Sequence, residues 1–464
     1  MLGSGVAFLD STVVNVALPT VARDLHAGLS DLQWISDAYL LTLGSLIILG
    51  GSFGDRFGRR RIFVLGLIAF TAASVICGLA SNTVVLIGAR AAQGIGGALL
   101  VPGSLAIISA SFAAEDRARA VGLWSGLSGV NLAIGPFVGG WLIDSVSWRA
   151  IFFINVPVAA GAIAIAMRHV PETRDDSATG RLDYAGAVII SLGLAGIVYA
   201  LIDGPSNGWS AATLSAGVAG GLLLLAFPLT ELRIHSPMVP LRIFASRQFS
   251  GANVTTFAVY AALSVTAFIL VLHLQLDLHY SALAAGMSFL PASVLLTLFS
   301  SRAGALAQRV GPRLPMTAGP LVAALGLMLL SGVRSGDSYL VSVLPGVTVY
   351  GAGLTLTVAP LTAAVMAAVD AHHLGVGSAI NNATARIGGL LAVAVVPALA
   401  GLSGASHLAG ASLNEGFTTS MRIAAGMLVA GGMIAALSIR RIGGAPKRPA
   451  PELARCGLPS RHGT

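Results

Sequence analysis

The chain has 464 residues, of which 55% are hydrophobic and only 10% are charged. Soluble globular domains carry about 25% charged residues, so this composition excludes an ordinary water-soluble protein. The net charge of +8 is scattered through short connectors between apolar runs, which does not indicate a nucleic-acid-binding face. Cys77 lies in an apolar run and Cys456 in a polar tail, which does not indicate a disulfide framework.

Fourteen apolar runs follow one another along the chain, each near the roughly 20 residues that a helix needs to cross a bilayer. Runs this long are helices, because a backbone in lipid must satisfy its own hydrogen bonds. They lie near 1–22, 34–54, 62–80, 84–110, 118–143, 149–169, 182–203, 209–230, 249–276, 281–301, 314–333, 339–367, 375–402 and 420–439. The sequence therefore predicts an all-α integral membrane protein.

The basic residues are distributed unevenly between the connectors. With the N-terminus in the cytoplasm, the cytoplasmic connectors and the tail hold most of the 27 Lys and Arg residues. The opposite connectors hold only Arg23, Arg149 and Arg334. This is the positive-inside pattern, and it predicts a multi-pass protein of the plasma (inner) membrane with both termini cytoplasmic.

A loop sequence occurs twice in the chain. GSFGDRFGRR begins at Gly51 and GALAQRVGPR begins at Gly304, both between two apolar runs and on the same predicted side. Such a parallel repeat predicts two six-helix bundles related by a pseudo-two-fold axis along the membrane normal, with a central site. The runs at 182–203 and 209–230 have no counterpart in the repeat and form an inserted hairpin.

This repeat divides the chain into four predicted parts. They are an N-terminal bundle (1–170), a linker with the inserted hairpin (171–235), a C-terminal bundle (236–442) and a cytoplasmic tail (443–464).

The first copy of the loop contains the predicted gating residues. Its glycines allow a tight turn, and Asp55 is placed to dock on a helix N-terminus of the other bundle. The alternative is a solvated loop whose charges only set topology. The residues concerned are Gly51, Asp55, Arg56, Gly58, Arg59 and Arg60.

Two ionisable residues are predicted to lie deep in the membrane. Asp10 is near the middle of the first helix, where desolvation favours its protonated form, and intramembrane acids are functional hypotheses by default. Arg90 is about two turns into the fourth helix, so it needs a partner, and depth offers Asp10 or Asp37. The structural alternatives are a helix anchor of Asp10 with Asn15 and a simple ion pair of Arg90.

Five segments in order resemble the major facilitator superfamily, specifically its fourteen-helix drug:proton antiporter branch. They are LDSTVVNVALPTV from Leu9, GSFGDRFGRRR from Gly51, GARAAQGIGGA from Gly88, GPFVGGWL from Gly135 and WRAIFFINVPV from Trp148. The chain departs from the pattern at Asn131, where a small residue is usual. It also has Gln308 where the first loop has Asp55, and Val347 in place of a second buried Arg.

The resemblance implies roles for several of these residues. Asp10 and Arg90 are implied in proton coupling, and Asp37 in sharing the proton or attracting a cationic drug, with a water-exposed helix cap as its alternative. The fifth helix is implied in sealing against proton leak through Gly135, Pro136, Gly139 and Gly140, with ordinary small-residue packing as the alternative. The candidate substrate-binding residues are Asp37, Asn15, Asn131 and Arg386.

The function predicted from the sequence is proton-coupled efflux of drug-like, cationic or amphipathic compounds by alternating access. GxxxxGK[ST] does not occur, so ATP drive is not indicated, and we expect no enzymatic activity, no metal and no cofactor beyond the proton gradient. The expected partners are a small-molecule substrate, protons and the lipid bilayer, with no nucleic acid, and the expected state is a monomer. A proton-coupled nutrient symporter of the same fold and a non-transporting membrane sensor remain alternatives.

Overall fold

A computed structural model describes residues 2–111, 134–174, 182–234, 237–370, 374–403 and 410–440. Within these ranges every regular element is a helix, and thirteen helices are long and apolar enough to cross a membrane. Residues 134–145 are also helical and end the run predicted for 118–143, whose first part lies outside the described residues. The predicted all-α membrane fold is confirmed.

The helices are numbered in chain order. Those of the N-terminal half are α1 (Leu2–Leu25), α2 (Leu29–Phe57), α3 (Arg59–Gly78), α4 (Thr83–Ser111), α5 (134–145) and α6 (Ala150–His169). The hairpin consists of α7 (Tyr184–Asn207) and α8 (Ala211–Glu231). The C-terminal half contains α9 (Arg247–Leu276), α10 (Ala282–Val310), α11 (Arg313–Leu330), α12 (Tyr339–Met366), α13 (Leu374–Leu399) and α14 (Gly410–Ser438).

Two helices begin well before the residue at which the apolar pattern predicts them to begin. The second run was predicted from residue 34, but α2 begins at Leu29, and the carboxylate of Asp31 accepts a hydrogen bond from Gly28 N at 3.0 Å in the first turn. The last run was predicted from residue 420, but α14 begins at Gly410. Hydropathy detects only the part of a helix that lies in hydrocarbon, and polar residues extend both helices beyond that part.

The turn between α2 and α3 depends on Gly58, whose φ of +107° is unfavourable for a residue with a side chain. A Cβ at this position would also lie 2.6 Å from Oε1 of Glu172. That carboxylate accepts hydrogen bonds from the backbone N–H groups of Arg60 (3.0 Å) and Arg61 (3.2 Å) at the start of α3. A negative group at a helix N-terminus is favourable, so Glu172 fixes the loop against the end of α6. We call this end of the molecule the Gly58 end.

The two halves are joined by hydrogen bonds at the opposite end, which we call the Trp148 end. Asp144, at the end of α5, accepts from the backbone N–H groups of Ala282 (3.2 Å) and Leu283 (2.9 Å) at the start of α10. Gln275 of α9 donates to the carbonyl of Val16 in α1 at 2.9 Å. The halves are therefore closed against each other at this end.

The inserted hairpin packs through glycines and touches both halves. A Cβ on Gly196 of α7 would lie 2.5 Å from the carbonyl oxygen of Ala216 in α8, so only small residues permit this approach. The opposite face of α7 forms a buried cluster with α13, whose members are Leu194, Val198, Ile202, Leu390 and Ala394. Large apolar side chains of α8 are exposed, as expected for a face that meets lipid: Leu214, Val218, Leu222, Leu225 and Leu229.

Candidate functional site

A buried ion pair lies inside the N-terminal half. Nη1 of Arg90 (α4) donates to Oδ2 of Asp10 (α1) at 2.5 Å. Each of these residues is 1% exposed. From their depth along the helices, Asp10 and Asp37 were both predicted as possible partners of Arg90. In the structure Arg90 pairs with Asp10.

Three polar side chains that sequence reasoning missed complete the site. Gln93 Nε2 donates to Oδ1 of Asp10 at 2.7 Å, and Asn155 Nδ2 donates to the same oxygen at 3.2 Å. Both amides also donate to Oγ of Ser74, at 2.8 and 3.2 Å respectively. Gln93 lies three residues after Arg90 within GARAAQG, and Asn155 lies within WRAIFFINVPV. Both residues therefore belong to segments that carry the family resemblance, and this is the signal that could have identified them. We call Asp10, Arg90, Gln93, Asn155 and Ser74 the polar centre.

Arg90 has acceptors other than Asp10. Its Nη1 also donates to Oε1 of Gln93 at 2.6 Å, and its Nε donates to the carbonyl oxygen of Ile35 at 3.1 Å. The guanidinium lies 4.4 Å from the centroid of the Tyr39 ring, a distance at which cation–π attraction operates. These contacts extend the polar centre from α1, α3, α4 and α6 to α2.

The alternative of an anchor between Asp10 and Asn15 is not what the structure shows. Nδ2 of Asn15 donates to the carbonyl oxygen of Ser11 in its own helix, at 3.5 Å. Asp10 instead satisfies its carboxylate with cationic and amide donors from two other helices. This set of donors is the one that an ionised carboxylate requires in an apolar interior.

Asp37 lies apart from the polar centre. Its side chain is 0% exposed, and neither carboxylate oxygen has a hydrogen-bond partner among the described residues. The alternative of a water-exposed helix cap is therefore wrong, since α2 begins two turns earlier and packs against α13 at this level. Gln33, one turn before Asp37, donates to the carbonyl oxygen of Val393 in α13 at 2.7 Å.

Comparison of the amino-acid sequence with models of known families assigns the chain to one of them. A model of the Major Facilitator Superfamily matches residues 1–393. The chain belongs to the major facilitator superfamily. The resemblance that five motifs indicated is thereby confirmed.

Several bacterial proteins named for drug or antibiotic resistance are similar to this chain. "Multidrug resistance protein Stp" of Mycobacterium tuberculosis is 34% identical over 397 residues, which cover 85% of this chain and 73% of Stp. The methylenomycin A resistance protein of Bacillus subtilis is 35% identical over 404 residues, covering 87% of this chain and 86% of that protein. The tetracenomycin C resistance and export protein of Streptomyces glaucescens is 32% identical over 399 residues, covering 86% and 74%.

Solved structures share the fold of this facilitator at low sequence identity. A bacterial homolog of the human lysosomal transporter Spinster, in an inward-facing and unoccupied conformation, has a TM-score of 0.63 and 17% identity, covering 94% of this chain and 95% of that chain. A peptide transporter POT in complex with sulfate has a TM-score of 0.67 and 15% identity, covering 94% and 92%. At these identities the likeness concerns the fold alone.

The glycines of α5 lie at close helix contacts of the facilitator. A Cβ on Gly135 would lie 2.2 Å from Oγ1 of Thr12, and one on Gly139 would lie 2.5 Å from Cγ1 of Val13, both in α1. Gly140 faces α10 of the other half, where a Cβ would lie 2.5 Å from Cα of Leu283. Pro136 contributes its carbonyl oxygen to the same contact with α10. Gly135 and Gly139 allow α5 to pack closely on α1 within the N-terminal half, and Gly140 and Pro136 lie at the close approach of the two halves. The role of these residues in gating stays a prediction.

At the Gly58 end, Asp55 and Arg60 of the loop make contacts within the N-terminal half. Asp55 lies 2.7 Å from Nη2 of Arg59 and is 40% exposed. Hydrogen bonds and ion pairs between described residues do not join Asp55 to a helix of the C-terminal half, so the predicted docking is not made in this conformation. Arg60 donates to the carbonyl oxygen of Val170 at 3.0 Å, the guanidinium of Arg56 lies 5.8 Å from the Phe57 ring centroid, and Gly51 faces Pro102.

The candidate substrate-binding residues are spread over the facilitator. Arg386 of α13 lies against Gly44 of α2, where a Cβ would be 3.1 Å from Cβ of Arg386, so it sits between the halves. Asn15 is on α1 and bonds within that helix. Asn131 lies outside the described residues, and its role stays a prediction.

Proposed function

We propose that this facilitator exports drug-like, cationic or amphipathic small molecules in exchange for protons, by alternating access across the plasma membrane. The export of antibiotics is supported by relatives that are named for resistance to methylenomycin A, tetracenomycin C and puromycin. The exchange with protons is supported by the polar centre. The single observation that carries it is the buried ion pair of Asp10 with Arg90.

The ion pair links protonation to helix packing. While Asp10 is ionised, its charge is balanced by Arg90 and its lone pairs by the amides of Gln93 and Asn155. When a proton binds Asp10, the guanidinium of Arg90 loses its counter-charge inside a low-dielectric interior, which is strongly unfavourable. Arg90 then depends on the oxygen of Gln93 and the carbonyl of Ile35. Proton binding therefore favours a different placement of α4 relative to α1.

This difference is what a coupled transporter requires. A ligand shifts a conformational equilibrium only by its differential affinity for the two states. A proton on Asp10 removes the charge that balances Arg90, so the protonated protein favours a conformation in which Arg90 has moved towards water or substrate. A cationic substrate that approaches Asp10 competes with both the proton and Arg90, and this competition couples the two fluxes.

The proposal also assigns the sides of the membrane. The positive-inside pattern supports a cytoplasmic Gly58 end and an outer Trp148 end. With this orientation, the hydrogen bonds of Asp144 and Gln275 close the outer side.

Transport in proteoliposomes tests the proposal. With a pH gradient imposed across the membrane, the purified protein is expected to move ethidium against the direction of proton flow, and addition of ethidium is expected to dissipate the gradient. Asp10→Asn is expected to abolish gradient-driven movement, because the neutral side chain no longer alternates between two charge states. Asp203→Asn is the matched control, since Asp203 lies in the hairpin and accepts a hydrogen bond from Asn207 one turn later.

Two results would contradict the proposal. Undiminished exchange by Asp10→Asn would remove the polar centre from the coupling mechanism. Movement of ethidium in the same direction as the protons, followed by reversal when the gradient is reversed, would identify a symporter instead.

A further inference from the structure

Two acids meet at the base of the inserted hairpin. Asp183 immediately precedes α7 and is 7% exposed, and Glu231 is the last residue of α8 and is 3% exposed. A Cβ on Gly186 would lie 2.4 Å from Oδ2 of Asp183 and 2.6 Å from Oε1 of Glu231, so these two oxygens are at most 5.0 Å apart, the sum of the two distances. Neither oxygen has a hydrogen-bond donor among the described residues. Two buried carboxyl groups therefore face each other with no donor between them.

The other oxygen of each acid is fixed by a backbone N–H group. Oδ1 of Asp183 accepts from Gly186 N at 2.7 Å, and Oε2 of Glu231 accepts from Val239 N at 2.8 Å. Val239 belongs to residues 237–245, which precede α9 and which we call the connecting segment. The two backbone bonds set the orientation of both carboxyl groups and hold the remaining oxygens near each other beside Gly186.

This arrangement requires one proton. Two ionised carboxylates at this separation repel each other, and burial without donors adds to the cost. The helix dipoles indicate which acid carries the proton, since Asp183 lies at the N-terminus of α7, where a negative charge is favourable, and Glu231 lies at the C-terminus of α8, where it is unfavourable. A protonated carboxyl has one O–H donor and one acceptor oxygen. The two side chains are close enough for Glu231 to donate to Asp183 while its second oxygen accepts from Val239 N.

The surroundings of the pair supply no other charge balance among the described residues. Neither of the two facing oxygens is reached by a cationic side chain. The pair lies near the Gly58 end, because the Tyr184 ring, next to Asp183, is 6.1 Å from that of Phe53 in α2. The ionisable groups of the elements around the pair have exposed side chains, and they are Tyr184 of α7, Arg233 after α8, Arg242 of the connecting segment and Arg56 of α2. Arg181 and His235 lie outside the described residues.

A proton fits this site better than a metal ion. Mg²⁺ and Ca²⁺ take about six or more oxygen ligands, whereas the pair offers two oxygens that are not already bonded to the backbone. Both acids are buried, so water has little room to complete a coordination shell.

We infer that Asp183 and Glu231 share one proton, which clasps the connecting segment to the base of the hairpin. With the proton in place, Oε1 of Glu231 donates to Oδ2 of Asp183 and Oε2 holds Val239 N. When the proton leaves, the two charges repel, Glu231 turns towards water and Val239 loses its acceptor. The connecting segment leads directly into α9, where Oγ of Ser250 donates to the carbonyl oxygen of Phe244 at 2.6 Å. Release therefore frees the start of the C-terminal half from the hairpin.

This clasp is separate from the polar centre. It lies in the inserted hairpin, and its proton controls the docking of a segment and does not move with the substrate. With the proposed orientation of the chain, the clasp responds to the pH of the cytoplasm, and alkaline pH releases it. The link between the proton and the docking does not depend on the proposed function.

The accessibility of the connecting segment, measured as a function of pH, tests the inference. Val239→Cys places a thiol where the native side chain is 7% exposed, and Arg242→Cys places one at an exposed position of the same segment. Both are made in the full-length protein with Cys456→Ser, and Cys77 is buried. The rate of reaction with N-ethylmaleimide at Val239→Cys is divided by the rate at Arg242→Cys at the same pH. This ratio cancels the pH dependence of the thiol itself and reports how often the segment is released.

Linkage to one proton predicts how the ratio depends on pH. With both acids present, the ratio is expected to rise up to tenfold for each pH unit above the titration range, because release accompanies the loss of one proton. Glu231→Gln imitates the protonated acid, since its oxygen accepts from Val239 N and its NH₂ group donates to Asp183. In this variant the ratio is expected to stay low at alkaline pH and to lose its slope. Asp203→Asn, which neutralises the other acid of the hairpin, is expected to keep the slope.

A double variant separates a shared proton from simple relief of repulsion. When Asp183→Asn is combined with Glu231→Gln, each amide oxygen keeps its backbone bond and the two NH₂ groups face each other without an acceptor. The ratio is then expected to be high at every pH, although the double variant has no charge at the site. Relief of repulsion alone predicts the opposite, a segment as well protected as in Glu231→Gln.

Three results would overturn the inference. They are a slope retained in Glu231→Gln, a slope lost in Asp203→Asn, and equal protection in Glu231→Gln and the double variant. A ratio that follows the concentration of Na⁺ or Mg²⁺ at constant pH would also contradict it, by identifying a bound cation in place of the proton. Glu231→Gln is expected to gain protection at alkaline pH, which a misfolded protein cannot imitate. A protein that moves no ethidium in proteoliposomes would contradict the proposed function and leave the labelling result intact.

Discussion

The ion pair in the polar centre gives a quantitative test by a double-mutant cycle. Asp10→Asn keeps the shape of the side chain but leaves the Arg90 charge buried. Arg90→Gln leaves the Asp10 carboxylate with only the amide donors of Gln93 and Asn155. The double variant removes both charges and retains two neutral hydrogen-bonding groups at the same positions.

The magnitude follows from the burial of both groups. Removing one member of a buried ion pair costs about 3–5 kcal/mol, because it leaves an uncompensated charge. In each single variant the charge that stays behind keeps some partners: the amides for Asp10, and the oxygens of Gln93 and Ile35 for Arg90. We therefore expect each single variant to lose an unfolding free energy near the lower value, about 3 kcal/mol. The double variant contains no buried charge, so we expect it to cost no more than either single variant. The coupling energy is then at least about 3 kcal/mol, at the upper end for residues in contact.

Unfolding by SDS in mixed micelles, followed by tryptophan fluorescence, gives the free energies of unfolding of the four proteins. The same proteins are reconstituted to measure ethidium transport under a pH gradient. All three variants are expected to lose the movement of ethidium that the pH gradient drives. If the two single losses add in the double variant to within about 0.5 kcal/mol, Asp10 and Arg90 do not stabilise each other. Protonation of Asp10 would then not be linked to the position of Arg90 through their ion pair.

Three further predictions concern the gate, the hairpin and the orientation. Gly140→Ala places a Cβ 2.5 Å from the backbone of α10 and is expected to open the Trp148 end, which would raise the labelling of a cysteine introduced at that end. Gly161→Ala, whose Cβ would have nothing within 4 Å, is expected to leave this labelling unchanged. Glu231→Ala removes the acceptor of the buried N–H of Val239, which lies 2.8 Å away, and is expected to cost about 1–3 kcal/mol of unfolding free energy, with Glu231→Gln largely restoring stability. Ser81→Cys, in the exposed connector at the Trp148 end, is expected to react with an impermeant maleimide in intact cells, and protection until the membrane is permeabilised would reverse the proposed orientation.

Much of the architecture was predictable because the bilayer imposes simple rules on sequence. Long apolar runs, cations on alternate connectors and a duplicated loop predicted an all-helical transporter with two halves and a hairpin. The same rules misplace helix ends, since the polar first turns of α2 and α14 lie outside the apolar signal. The depth of Asp10 and Arg90 also followed from sequence, because helix rise converts residue number into distance along the membrane normal.

The composition of the site depended on tertiary structure. Ser74, Gln93 and Asn155 are ordinary polar residues on three helices, and only the packing of these helices around α1 brings their side chains to one carboxylate. Asp37 shows the converse, since an acid one to two turns from a helix start is compatible with water, and its burial results from contact with a helix some 350 residues later in the chain. Hydropathy and motif spacing report on one helix at a time. Which polar groups find partners, and which are buried without any, is decided by the contacts between helices.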